Sequence, residues 1–193
     1  LPLLMELEEK GVITLDTKLS KILPEYQASN KKNITIKEML SHYARLRPWE
    51  PFYTKTLDSA TKKPSADYYR RKPSPKYSIK VADEVFLRYD YPDTIQKIIK
   101  DSDLLSTLRY RYSDFPYYIL KKYIEGYYDK TLDELVQDHF YQSLGANYTT
   151  YNPSSKFSDE NIVPTEIDDY FRYQKIQGYV HDMGAAMQNG VGG

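Results

Sequence analysis

The chain has no cysteine among its 193 residues. That excludes disulfides and thiolate metal sites, and it fits an oxidising or a reducing compartment equally. It has no excess of either charge, because 27 basic and 27 acidic residues leave a formal net charge of zero. No nucleic-acid partner is expected, since that requires a basic stripe. No run of about 18 apolar residues occurs and no signal peptide opens the chain, so no membrane span is expected. The histidines, at 42, 139 and 181, have no second ligand at metal-binding spacing, and no metal or cofactor is implied. No low-complexity linker divides the chain, so residues 1–193 are expected to form a single partial domain, long enough to bury a core.

What is abundant is tyrosine, 21 of 193 residues. Two readings stay open: amphipathic residues at the edge of a core, or a surface that stacks on sugars or peptides.

Hydrophobic spacing and capping residues give the expected elements. Residues 1–10 read as a helix ended by Gly11, with no capping residue at its start. Residues 15–23 read as a turn and a short helix, capped by Asp16 and stopped by Pro24. Thr35 and Glu38 form a capping box for residues 36–42. Residues 47–80, with prolines at 48, 51, 64, 73 and 75, read as a long loop; Trp49, Phe52, Tyr53, Tyr68 and Tyr69 argue against disorder there. Those aromatics either line a substrate groove or glue an irregular loop together. From Tyr77 a strand-like alternation passes into a helix, and Pro92 opens a further helix carrying Ile95, Ile98 and Ile99. A capping box at Thr131 and Glu134 starts a helix over 132–140, closed by Leu144-Gly145, with His139 at the edge of its apolar stripe. Residues 161–165 and 176–180 read as extended, and Asp182 caps 183–187. His181 and Asp182 are not expected to work as a dyad, because neighbours on an extended chain point to opposite faces.

The centre of the chain is Leu108-Arg109-Tyr110-Arg111-Tyr112-Ser113-Asp114-Phe115-Pro116. An alternating stretch runs there into a helix that breaks at Gly126. Asp114 is suited to cap that helix and Pro116 to its first turn. Tyr112 and Asp114 are therefore expected at a helix N-terminus, on the same open side.

The ordered segments Leu23-Pro24-Glu25-Tyr26, residues 33–42 (Asn-Ile-Thr-Ile-Lys-Glu-Met-Leu-Ser-His), Tyr112-Ser113-Asp114, Ser143-Leu144-Gly145, residues 178–182 (Gly-Tyr-Val-His-Asp) and the closing Gly190-Val191-Gly192-Gly193 resemble the serine β-lactamase, penicillin-binding protein and related esterase family. Its middle signature is Tyr-x-Asn at the start of a helix. The family's Ser-x-x-Lys is absent from the first helix, and no Lys/His-Thr/Ser-Gly triplet follows residue 182. The resemblance implies a middle piece, with the nucleophile expected just before residue 1. The implied fold is mainly α with a few short strands, the helical lobe of the β-lactamase/transpeptidase-like α+β fold with its central sheet largely missing. The implied parent is a periplasmic or cell-envelope serine hydrolase acting on a small-molecule or peptide substrate, with Tyr112 and Asp114 as catalytic residues. Asp114 stands where the motif has Asn. An ionised Asp only accepts hydrogen bonds, so it favours a lysine or a substrate N–H and repels a substrate carboxylate. Where the family continues His-Thr-Ser-Gly-Leu, this chain has His42-Tyr43-Ala44-Arg45-Leu46, and Arg45 makes a positive-φ turn costly. His42 is expected to be structural. Helix 1–10 has an apolar band too broad for one-sided burial, so self-association is expected through it and the closing glycines. The alternative function is a non-catalytic Tyr-rich helical module that binds glycan or peptide.

Overall fold

Leu3, Leu4 and Leu7 are spaced to fall on one face of a helix, and in the computed structural model, which describes residues 1–189, all three are buried in α1 (Pro2–Glu9). Gly11, at φ 69°, stops the helix in the left-handed conformation that glycine adopts without strain. The chain divides into two compact units, Leu1–Glu50 with Gln96–Val136, and Pro51–Ile95 with the chain from Gln137 onward. Among the described residues no helix is long and apolar enough to cross a membrane.

In the first unit α2 (Leu19–Ile22) begins at Lys18, with no side-chain cap. Asp16 therefore does not cap it. The leading amides of Leu19 and Ser20 donate instead to the carbonyls of Ile34 (2.8 Å) and Lys32 (3.2 Å), so a distant segment satisfies the orphan donors. α3 (Ile36–Leu40) carries the expected capping box: Thr35 N donates to Glu38 Oε2 at 2.8 Å, and Glu38 N donates to Thr35 Oγ1 at 3.2 Å. The longest helix, α5 (Phe115–Tyr128), buries Tyr118, Ile119, Leu120, Tyr123 and Ile124. It runs through Gly126 rather than breaking there, and Asp129, left-handed at φ 52°, is the residue that ends it. α6 (Leu132–Val136) follows a turn in which Thr131 N and Oγ1 both donate to Glu134 Oε2. α4 (Tyr91–Asp101) gives its first residues to the second unit and the rest to the first, with Ile95 and Ile99 fully buried.

The second unit holds the small sheets. β1 (Tyr69–Arg70), β3 (Val85–Leu87) and β2 (Ile79–Ala82) form an antiparallel sheet in that order, with Leu87 opposite both Tyr69 and Ile79. The helix expected to follow the strand-like alternation from Tyr77 is absent. Asp83-Glu84, with Glu84 at φ 51°, instead turns the chain into a hairpin whose return strand is the bulky Val85-Phe86-Leu87. β4 (Pro164–Asp168) and β5 (Gln174–Gln177) make a second antiparallel pair. α7 (Met183–Ala186) is capped as expected, Asp182 Oδ1 accepting from Ala185 N at 2.6 Å. The π-helical turn Gln137–Tyr141 stands where regular helix was expected, with His139 half-buried beside Phe140.

Candidate active site

The segment ahead of α5 has the alternation of a strand but joins no sheet. It is held extended by residues 42–48 of the same unit. Arg111 N donates to His42 O at 2.9 Å, Ser113 N to His42 Nδ1 at 3.4 Å, Ser113 Oγ to Arg47 O at 2.5 Å, and Asp114 N to Pro48 O at 3.1 Å. Further along, Leu105 N donates to Arg45 O at 2.8 Å and Arg45 Nε to Leu105 O at 2.6 Å. His42 thus holds the junction through its carbonyl and its ring Nδ1. The positive-φ turn survives the loss of the family's glycine, because Arg45 itself adopts φ 56° and spends its side chain on the opposing carbonyl.

Asp114 holds the N-cap position of α5, yet its side chain makes no capping bond. Ser113 does that work, its buried Oγ accepting from Phe115 N at 3.2 Å. The Tyr112 ring packs against His42 with centroids 4.6 Å apart. Tyr112 is 56% exposed. Partial burial, then the Asp114 charge and the neighbouring Tyr117, push its pKa above the ordinary phenol value. At neutral pH Tyr112 is therefore a phenol and a hydrogen-bond donor. A phenolate base would require a cation brought against the phenol.

Sequence reasoning missed two features. Two Ser-x-x-Lys tetrads do occur, Ser29-Asn30-Lys31-Lys32 and Ser59-Ala60-Thr61-Lys62, and neither serine opens a helix. Ser29 Oγ donates to Lys100 O at 3.1 Å, and Lys32 is exposed. The buried lysine is Lys31, whose Nζ donates to Asn30 Oδ1 (2.9 Å), Lys100 O (3.1 Å) and Ser102 O. In the second unit Arg172 and Asp168, both buried, pair at 2.7 Å. Arg172 also donates to Glu166 and to the carbonyls of Val180 and His181, and His181 Nδ1 lies 3.1 Å from Glu166. Burial by itself raises the Asp168 pKa; the Arg172 guanidinium and the amides of Phe171, Arg172 and Tyr170 outweigh it and hold the carboxyl below its usual range. Asp182 is engaged as a helix cap, its Oδ1 accepting from Ala185 N.

The β-lactamase family model matches residues 3–161. The chain belongs to the β-lactamase family. Among solved structures with the β-lactamase fold, the octameric penicillin-binding protein homologue from Pyrococcus abyssi is 17% identical, with a TM-score of 0.53 over 91% of this chain and 35% of that one. A β-lactamase from Sulfitobacter sp. EE-36 is 12% identical, with a TM-score of 0.52 over 95% of this chain and 40% of that one. At such identities the likeness is one of fold. The chain spans about a third to two fifths of the length of these β-lactamase relatives. No curated protein sequence matches.

Proposed function

We propose that the chain is the helical lobe of a β-lactamase-related serine hydrolase, with Ser-x-x-Lys, the third motif and most of the central sheet contributed from outside these residues. Its two units are parts of one partial domain, a reading supported by the family match, which runs through both. In the intact parent the serine Oγ attacks an ester, amide or β-lactam carbonyl, and the leaving oxygen or nitrogen takes a proton. Water then hydrolyses the acyl-enzyme. The observation that carries the reading is the Tyr112-Ser113-Asp114 junction at the start of α5, with Tyr112 exposed and Ser113 pinned by residues 42–48, inside the family-matched span. Tyr112 is the proton-transfer residue, with the Asp114 charge acting on its phenol. The parent's lysine supplies the cation that brings the raised phenol pKa back toward neutrality. A periplasmic or cell-envelope location belongs to the same reading, as does self-association of the isolated chain. The closing Gly190-Val191-Gly192-Gly193, expected to join that association, lies outside the described residues.

The test has two arms. Incubated alone with a fluorescent penicillin and a chromogenic ester, the chain gives no covalent adduct by mass; a stoichiometric adduct on any of its serines overturns the proposal. In the parent, Tyr112→Phe lowers kcat by about 10²–10⁴-fold with little change in KM, and an unchanged kcat removes Tyr112 from the chemistry.

A further inference from the structure

Charge is balanced over the whole chain but not along it. Residues 55–80 hold eight lysines and arginines against Asp58 and Asp67, and the compensating negative charge lies in the rest of the sequence. Part of this stretch is spread over one face of the sheet in the second unit. The register sets Tyr69, Leu87 and Ile79 in a row across β1, β3 and β2, and all three are buried. Side chains alternate along a strand, so the next row, Arg70, Phe86 and Lys80, takes the outer face, where both cations are exposed. Arg70 and Lys80 are thus two strand spacings apart, about 10 Å, comparable with the screening length at about 0.1 M salt. The loop out of β1 adds Arg71, Lys72 and Lys76, all exposed. Backbone bonds between Ser74 and Tyr77, at 3.1 and 3.0 Å, close that loop, and Pro73 and Pro75 stiffen it. Arg70 and Lys76 share the Tyr77 ring, 4.4 and 5.7 Å from its centroid. The neighbouring acids do not neutralise this face. Asp83 pairs with Lys80 at 3.1 Å and accepts from the Tyr179 phenol, Glu84 lies 3.9 Å from Arg71, and Asp90, which also acts on Lys76, is bound by Arg88. Arg70, Lys72 and Lys76 form no ion pair among the described residues, so even with Asp67 set against them a surplus of positive charge remains.

We propose that this face binds a linear polymer of phosphate groups, held through its phosphates alone. Each phosphate neutralised by a lysine or arginine releases condensed counterions, which drives the association of a polyanion with a fixed row of cations. A membrane or a folded protein partner is disfavoured, because no large hydrophobic side chain between residues 50 and 88 is exposed to enter a bilayer or to anchor an interface. Base reading is disfavoured as well, since Tyr77 is buried beneath its two cations and offers no open ring for stacking. The face uses none of the residues assigned to the proposed hydrolase chemistry and does not depend on that reading.

The test titrates the 193-residue chain with linear inorganic polyphosphate by calorimetry over a series of salt concentrations. Binding is expected at low salt, with log K falling against log salt at a slope of about −2, the release from about three neutralised phosphates. The double variant Lys72→Glu with Lys76→Glu should weaken binding by at least about tenfold and flatten the slope to about −1 or less. Both side chains are exposed and free of ion pairs, so an unchanged melting temperature checks that the variant folds. Lys21→Glu with Lys32→Glu, exposed lysines of the first unit, makes the same change in net charge and should alter the affinity by less than about threefold. The rival ligands are phosphatidylglycerol–phosphatidylcholine vesicles, oligothymidylate and poly-glutamate, compared with polyphosphate at equal charge; each is expected to bind more weakly. Equal or tighter binding of any of the three overturns the proposal in favour of a membrane, a base-reading site or an acidic protein respectively. An absence of polyphosphate binding at low salt overturns it outright, as does a loss in the first-unit variant equal to that in the Lys72 and Lys76 variant.

Discussion

Arg45 holds a φ of 56° that costs an ordinary residue about 1–2 kcal/mol and glycine almost nothing. What keeps it there is the bond from its Nε to Leu105 O, of the kind that contributes about 1 kcal/mol net. The two terms nearly cancel, so Arg45→Gly should leave stability within about 1 kcal/mol of the starting chain. Arg45→Ala keeps the strain, loses the bond and should be less stable than Arg45→Gly by about 1 kcal/mol. Urea denaturation of the two variants decides it; an alanine variant as stable as the glycine variant would remove strain from the account of this turn. Lys31 gives a second test at this scale. Burial lowers its pKa to about 8, against the opposing pull of Asp103 and Asp101. Its folded pKa lies below the unfolded value, so from about pH 8 to 10.5 the unfolded chain holds the proton that the folded chain has released. Stability should therefore rise with pH across that window. The gain is on the order of 1 kcal/mol by pH 9. Many buried tyrosines titrate higher still, so the comparison is with Lys31→Met, which should lack the rise. A slope identical in both chains would mean that Lys31 is as well solvated as in the unfolded state.

Gly126 sits inside α5, exposed, with nothing within 4 Å of where a Cβ would stand. Gly126→Ala should stabilise the chain by about 0.5–1 kcal/mol, since it removes backbone freedom from the unfolded state and meets no obstacle in the folded one. A lower melting temperature would point to a contact that the helix face must leave open. The same glycine marks where sequence reading stopped being sufficient. The capping at Thr35 and Asp182 and the course of α1 and α4 were legible, because the groups that decide them lie within a turn of one another. Asp16 as a cap failed because the winning partner is distant, the helix expected in the stretch from Tyr77 because the turn chemistry went unrecognised, and Gly126 as a break because Asp129 is what ends α5. Lys32 and Ile34 satisfy the start of α2, and Asp83-Glu84 reverses the chain. At the site the positions of Tyr112 and Asp114 could be read from local spacing. The cradle that holds them could not, because Ser113 reaches His42 and Arg47 across 71 and 66 residues. That Ser113 rather than Asp114 caps α5 followed from that cradle.

At the scale of the molecule the question is what covers α1. Leu3, Leu4 and Leu7 face the core of the first unit, but Leu1 and Met5 are each 62% exposed, and Leu15 is exposed as well. Together with Leu4, Ile13, Ile36 and Leu40 they line an open groove of 510 Å³. Burying an aliphatic side chain contributes about 1.5–3 kcal/mol, while association costs about 4–15 kcal/mol in lost freedom. A few such side chains from each of two copies therefore give a weak self-association, on the order of tens to hundreds of micromolar. Light scattering across a concentration series should show the mean mass rising through that range. Met5→Glu puts a charge in the middle of the contact and should return the chain to a monomer without lowering its melting temperature, because Met5 is not part of the core. A chain that stays monomeric at the highest concentrations, with one cooperative thermal transition, would mean that the exposed band of α1 is tolerated by itself. The groove would then be no reason to look for a missing partner.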